Sequence, residues 1–565
     1  MSVDNYYLGI DVGTGSARAS LVSANGKVVA SSTVETITWR DPNDHRIFEQ
    51  STENIWAGIS SAIKTCLSES GIAASAVKGL GFDATCSLAV TDLAGKPVQV
   101  SKGAELGKHS ERNIILWADH RAEKEADLIN STGSVVLDYL EMEIPKVLWL
   151  KNHMAPELFS RCQFFDLPDF LTYRATADKH SLLLLPDSGW QDDFFEKIGL
   201  GELVKSEYKQ IGAAKQNVLT AGLPVGNGLS QQAAEELGLV EGTPVGSGVI
   251  DAYAGWLGTV AARFTEDGKL SDRVPSLEES RHRLAAVAGT STCHLVQSPQ
   301  GIYVPGVWGP YKDALFRGWW MNEGGQSSTG QLLDFMLTTH PAHSKLVEQG
   351  KAEGKNIFVV LHDLLEKLRD EEKVASFTEL MKDVHMYPDF HGNRSPIADP
   401  RMRGSIVGLA LDSTLNDLAR KYYLTLEAIA LQTRHIVDEL NGRGHSITAI
   451  YMSGGQAKNL VLMQLFADTC GMPVVLPFEH SGAVVLGAAM LGRFAAQTQG
   501  KSAMGEKEAG EMLWGIMTEM TPPGTLVAPG ASPKEKKLLA AKYKIFRESI
   551  DIQKRWRTEM EEATK

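Results

Sequence analysis

The stretch Tyr7–Val22, YLGIDVGTGSARASLV, is an apolar run broken by Gly-Thr-Gly-Ser and resumed as a second apolar run. Leu8, Ile10 and Val12 alternate with Gly9, Asp11 and Gly13 as a half-buried strand does. Ala19, Leu21 and Val22 then continue as a second strand up to Asn25-Gly26, a dipeptide favoured in tight hairpins. No helix signature follows the glycines. That argues against the dinucleotide fingerprint and the lysine-bearing phosphate loop, both of which need a helix N-terminus beside the phosphate. The stretch reads instead as a phosphate-holding β-hairpin. Gly13 and Gly15 would let backbone N–H groups approach an anion, Thr14 and Ser16 would add hydroxyl donors, and Arg18 would supply counter-charge. Asp11 makes sense beside a phosphate only with a cation between them. Taken alone, the stretch equally suits an ordinary glycine hairpin with a solvated aspartate.

A chain of 565 residues, 43% hydrophobic and 22% charged, is long enough for two or three domains with sizeable cores. A formal net charge of -13 disfavours nucleic acid or an anionic membrane as partner, since both need a basic footprint. Cys66, Cys86, Cys162, Cys293 and Cys470 are odd in number and show no metal-ligand spacing, so reduced thiols in a cytoplasmic protein are the simplest reading. The N-terminus shows no basic segment leading into a long apolar core, and no run of about 18 apolar residues occurs. Neither secretion nor membrane spanning is expected.

Ser51–Cys66 carries Ile55, Trp56, Ile59, Ala62, Ile63 and Cys66 at helical spacing, with Ser51 or Thr52 as cap. Val77–Thr91 is a strand interrupted by the polar cluster Asp83-Ala84-Thr85-Cys86-Ser87, which lies where ligands gather in an open α/β sheet and also suits a plain turn. Pro244–Gly258, PVGSGVIDAYAGWLG, embeds a single acid, Asp251, among apolar residues and glycines. Such a carboxylate costs free energy unless a function or partner compensates. A base accepting a hydroxyl proton suits the setting, and so does a helix N-cap. Leu284–Gln297, LAAVAGTSTCHLVQ, repeats the opening theme of strand, Gly-Thr-Ser turn and strand, which implies two similar phosphate-facing lobes. Ser453-Gly454-Gly455-Gln456-Ala457-Lys458-Asn459 then joins an apolar strand to the helix Leu460–Cys470. Three glycine turns thus close three apolar strands.

The set GIDVGTGSARA, GFDATCS, WADHRA, GVIDAYAG, AGTSTCH, FHGNRSPIADPRMRG, TLEAIALQTR and SGGQAKN, in that order, resembles the FGGY family of carbohydrate kinases, and within it the ribulokinase branch. The resemblance implies an α/β protein of two ribonuclease-H-like domains of the actin-like ATPase fold with a cleft between them. It implies an N-terminal, mainly sugar-binding domain, over 1–260, and an ATP-binding domain, over 287–498; the charged, irregular composition after Ala261 reads as a linker or insertion over 261–286, and 499–565 as a helical extension. It makes Asp251 the catalytic base and puts Asp11 near a magnesium ion. Gly13, Thr14, Gly15, Ser16 and Arg18 match the first phosphate loop, and Gly289, Thr290 and Ser291 the second. Gly454, Gly455 and Asn459 match the adenosine motif. Thr85, Cys86, Asp119, Arg121 and Glu323 would line the sugar pocket.

The implied activity is direct transfer of the ATP γ-phosphoryl group, with Mg2+, to the terminal hydroxyl of a ketopentose, D-ribulose first. L-ribulose, xylulose or a polyol are the alternatives, since a few hydroxyl contacts set that choice. Two departures from the branch pattern stand out. Tyr139 and Leu140 run directly into Glu141, without a preceding Gly-Gly segment. Ser181–Leu185 passes straight to Pro186, leaving no lysine to match the one that contacts sugar in related kinases. They motivate a second class, a silent nucleotide or sugar sensor of the same fold. A chaperone or filament ATPase, the third class, would lack an acid such as Asp251. The terminal segment Pro533–Glu562 has an apolar stripe of Leu538, Leu539, Tyr543, Phe546 and Ile550, so it packs on a domain or, in a homodimer, on a second subunit.

Overall fold

The computed structural model describes residues 5–132, 142–178, 190–212, 219–266, 269–477, 482–501 and 504–565. The two departures from the branch pattern, at Tyr139–Glu141 and Ser181–Pro186, fall outside the described residues.

The opening hairpin forms as expected: Tyr6–Val12 pairs antiparallel with Ser16–Ser23, with Asp11 opposite Arg18. It becomes a five-stranded sheet in the order Val245–Ile250, Val77–Ala84, Tyr6–Val12, Ser16–Ser23 and Val28–Glu35. The first three strands run parallel to one another and the last three antiparallel. The expected half-buried alternation is not what Tyr6–Val12 shows, because five of its seven residues are buried. The sheet is covered on both faces. The helix Thr52–Ser70, capped by Ser51 and ended by Gly71 at φ 66°, buries the predicted Ile55, Trp56, Ile59, Ala62, Ile63 and Cys66. On the other face lies the helix Ala483–Thr498, so close that a Cβ added to Gly9 would sit 1.8 Å from the Val485 carbonyl oxygen. The Gly/apolar alternation therefore marks a face that accepts a helix backbone, not a wet face.

A second sheet repeats the plan. Val474–Pro477, Ala449–Ser453 and Arg283–Ala288 run parallel, and Thr292–Ser298 and Trp320–Gln326 follow antiparallel. This is the same order and the same sequence of senses as in the first sheet, so the internal repeat extends from the glycine turns to whole-sheet topology. Further strands extend it to nine, among them Phe264–Glu266 and Gly524–Val527. Those two strands lie in segments read from sequence as linker and as helical extension, and their brevity explains why: three or four residues leave too little periodicity to detect. Arg283–Ala288 likewise begins within the stretch 261–286.

The two halves exchange helices. Ala483–Thr498, which follows the second sheet in sequence, packs on the first, and Asp251–Leu257, which follows the first, touches strands of the second. The terminal helix Pro533–Ala563 folds back onto its own half, burying Leu539, Phe546 and Ile550. Phe546 and Ile550 join Tyr387, Met402 and Leu431 in one apolar cluster. No helix among the described residues is long and apolar enough to cross a membrane.

Candidate active site

The two glycine turns are built alike. Gly13 N–H donates to Ser16 O at 3.0 Å, and Gly289 N–H donates to Ser291 O at 2.9 Å. Thr14, Gly15, Gly289 and Thr290 are all exposed. A Cβ at Gly15 or Gly289 would meet no protein atom within 4 Å, so the bare backbone there is not a packing requirement. It leaves N–H groups open to an anion. The first turn is braced: Gln50 Nε2 donates to the Thr14 carbonyl at 2.8 Å, and Trp117 Nε1 donates to Thr14 Oγ1 at 2.9 Å. The second is tied to the third glycine turn, since Gln456 Nε2 donates to the Gly289 carbonyl at 2.8 Å. Gly454, at φ 87°, lies so near that an added Cβ would come 2.2 Å from the Ala288 carbonyl oxygen. Asn459 caps the helix Leu460–Cys470, and its amide donates to Tyr422 Oη at 2.7 Å.

Asp251 stands at the end of Val245–Ile250, as the first residue of the helix Asp251–Leu257. It is half-buried, and Ala252 N–H donates to its carboxylate at 2.7 Å. Burial, then the Asp11 carboxylate, push its carboxyl up to about 7, against the pull of Ala252 N–H and Arg394. A base poised near neutrality is what proton abstraction from a hydroxyl needs. Asp11 itself is raised, chiefly by burial, with Arg18 opposing.

Thr85 lies just past Val77–Ala84, buried, with its hydroxyl 3.1 Å from that of Ser87. Cys86 Sγ donates to Glu143 at 2.9 Å, and with Asp166 these form the one group of three metal-type side chains found among the described residues. The fully buried Lys146 beside them supplies the positive charge that a metal would otherwise provide. Glu323 is buried on Trp320–Gln326 and faces Cys293 and Tyr253.

Asp119 and Arg121, expected on the sugar wall, are tied into one buried network. The Asp119 and Arg121 side chains are both 0% exposed. Arg121 donates to both Asp119 oxygens at 2.8 and 2.7 Å, to Glu49 at 2.9 Å and to the Val100 carbonyl at 2.7 Å. Asp119 also accepts from Phe48 N–H at 2.8 Å. This buried network holds the wall together from within.

Two residues of the site, Arg394 and Tyr253, carried no role in the sequence reading, and a third, Asp83, was named only as part of a polar cluster. Arg394 lies with its guanidinium 5.7 Å from the Trp117 ring of the first half and 5.3 Å from the Trp308 ring of the second, and bears on Asp251. Tyr253 is buried with no hydrogen-bond partner for its hydroxyl among the described residues. Asp83 lies in strand register with Asp11. A signal for Asp83 was present: Leu8-Gly9-Ile10-Asp11 and Leu80-Gly81-Phe82-Asp83 are the same pattern on neighbouring strands.

Models of the FGGY family of carbohydrate kinases match this chain twice, the N-terminal domain over residues 6–181 and the C-terminal domain over 284–496. The chain belongs to the FGGY family of carbohydrate kinases. A D-ribulokinase of Saccharomyces cerevisiae is 43% identical over 525 residues, spanning 87% of this chain and 72% of that protein. An FGGY carbohydrate kinase domain-containing protein of Homo sapiens is 39% identical, spanning 98% and 97%. Among solved structures, a xylulose kinase from Brucella ovis superposes with TM-score 0.72 at 19% identity, covering 98% of this chain and 100% of that one. A gluconate kinase from Lactobacillus acidophilus gives 0.73 at 18%, covering 97% and 98%. This FGGY kinase therefore has the two-domain actin-like ATPase fold and is a sugar phosphotransferase.

Proposed function

We propose that this cytoplasmic kinase phosphorylates the terminal hydroxyl of a ketopentose, and that the sugar is D-ribulose, giving D-ribulose 5-phosphate. The observation that carries the reading is Asp251, a half-buried acid at a strand end, near Asp11 and Arg394, with its carboxyl pushed up to about 7. The D-ribulokinase likeness over most of the chain supports the choice of sugar.

In this reading Gly13–Ser16 and Gly289–Ser291 cradle the nucleotide phosphates through backbone N–H groups, while Gly454, Gly455 and Asn459 border the adenosine. Thr85, Cys86 and Glu323 line the sugar side, and the Tyr253 hydroxyl offers a buried donor to it. Asp251 accepts the hydroxyl proton as the phosphoryl group arrives in line, with no phosphoenzyme. Arg394, facing Asp251 from the second half, offsets negative charge on the phosphoryl group in flight. The donor set suits Mg2+, with Asp11 to hold it; bound there, the ion would neutralise charge on the β- and γ-phosphates. Closure of the halves would keep water from competing for the phosphoryl group.

The test is ADP release by purified protein with MgATP and D-ribulose, L-ribulose, xylulose, gluconate, glycerol and ribitol. The highest kcat/KM is expected for D-ribulose. A tenfold preference for another sugar would replace it as substrate, and no sugar dependence at all would overturn the kinase reading.

A further inference from the structure

Asp83 has a role still to be found. Its strand, Val77–Ala84, runs parallel to Tyr6–Val12, and Asp83 is the direct register partner of Asp11. Register partners in a parallel pair point to the same face of the sheet, and here both stand at the C-terminal ends of their strands. Asp83 is 0% exposed. Neither of its carboxylate oxygens has a hydrogen-bond donor among the described residues. The group it meets is the Asp11 carboxyl, with Asp251 beyond. Three carboxylates thus converge, against Arg18 across the hairpin from Asp11 and Arg394 facing Asp251. One positive charge is still wanting.

A buried carboxylate with no donors, set against a second, half-buried one, is stable in two ways: the oxygens share a proton, or they share a cation. Hard oxygen donors on two adjacent strands suit a small divalent ion, which takes one or two protein carboxylates and completes its shell with water or phosphate. We propose that Asp83 and Asp11 together form a two-carboxylate seat for the divalent cation, and that this seat binds the ion before nucleotide arrives. Asp83 then has a specific duty: it holds the ion from the strand next to the glycine hairpin, on the same face as Asp11, so that the phosphates meet a cation already in place. The duty rests on the reading of the cleft as a phosphoryl-transfer site; the measurement of binding does not.

The test uses the full chain without nucleotide and Mn2+ as probe, followed by the loss of the free-ion signal in electron paramagnetic resonance. Wild type is expected to bind one Mn2+, and both Asp83→Asn and Asp11→Asn to weaken it at least tenfold. Asn preserves shape and removes charge, so a pair that merely shares a proton would leave Asp83→Asn binding Mn2+ as wild type does, which would overturn the proposal. Absence of nucleotide-free binding in wild type would overturn it too, without recourse to any variant. If Asp83→Asn does not fold by circular dichroism, Asp83→Ser takes its place with the same expectation. Mn2+ binding that follows this pattern in a protein without sugar-dependent ADP release would support the seat and count against the kinase reading alone.

Discussion

Asp251 links proton affinity to both rate and stability. Its carboxyl is raised from 3.8 to about 7, so it is a competent base only once pH passes that value. The expected profile of kcat/KM for the sugar rises with pH, with a midpoint near 7. The stability sign is opposite. The folded state holds this proton more tightly than the unfolded chain, so the contribution is full below about 3.8 and is lost as pH rises toward 7. Asp251→Asn is therefore expected to melt no lower than wild type at pH 8, and a marked fall in Tm there would contradict the assignment of strain to this carboxyl. Arg394→Met probes the cationic partner: a loss of roughly 100-fold in kcat with nucleotide affinity kept is expected if it stabilises charge in the transition state. Equal losses in nucleotide binding would make it a ground-state contact. Asp251 was legible in sequence because a lone acid among glycines and apolar residues is conspicuous. Arg394 was not, since its neighbours Trp117 and Trp308 are far from it along the chain and the interaction exists only after the halves meet.

The glycine turns were legible as elements for a local reason. A strand, two or three small residues and a second strand form one hairpin, and both hairpins pair in the register such a pattern requires. The third turn depends on a contact invisible to local pattern, the approach of Gly454 to the Ala288 carbonyl. Gly454→Ala combines an unfavourable φ with that collision and should cost about 1–3 kcal/mol in denaturant unfolding. A neutral result would mean that the loop can move off the strand. Helix exchange was also beyond the reach of sequence. Ala483–Thr498 has the apolar composition of a buried helix, but nothing in it says which sheet it covers; the decision lies in backbone contacts with glycines far away in the chain, Gly9 among them. The network around Asp119 and Arg121 was hidden from sequence for a related cause. An acid, an imidazole and a guanidinium beside a tryptophan read as a binding wall, but in three dimensions Glu49 and the Val100 carbonyl complete the network from within.

In the whole molecule, the terminal helix connects the outer surface of the second half to the active site. Lys542 is buried against Glu427 at 2.9 Å and donates to the Met381 and Val384 carbonyls at 2.5 and 2.6 Å. Lys542→Met leaves the Glu427 charge unpaired and should destabilise by about 3–5 kcal/mol, read from urea unfolding. Farther along, Arg557 pairs with Asp399 at 2.6 Å, and Asn393 N–H bonds back to the Asp399 carbonyl at 3.0 Å, next to Arg394. The helix thus braces the loop that carries Arg394, and Arg557→Ala is expected to lower kcat severalfold with little change in Tm. The decisive measurement compares wild type with Asp251→Asn for ATP affinity by calorimetry and for D-ribulose-dependent ADP release. Unchanged ATP affinity with turnover reduced at least 100-fold is the expected result. Turnover within a fewfold of wild type in the variant would remove Asp251 as the base and with it the mechanism drawn from this site.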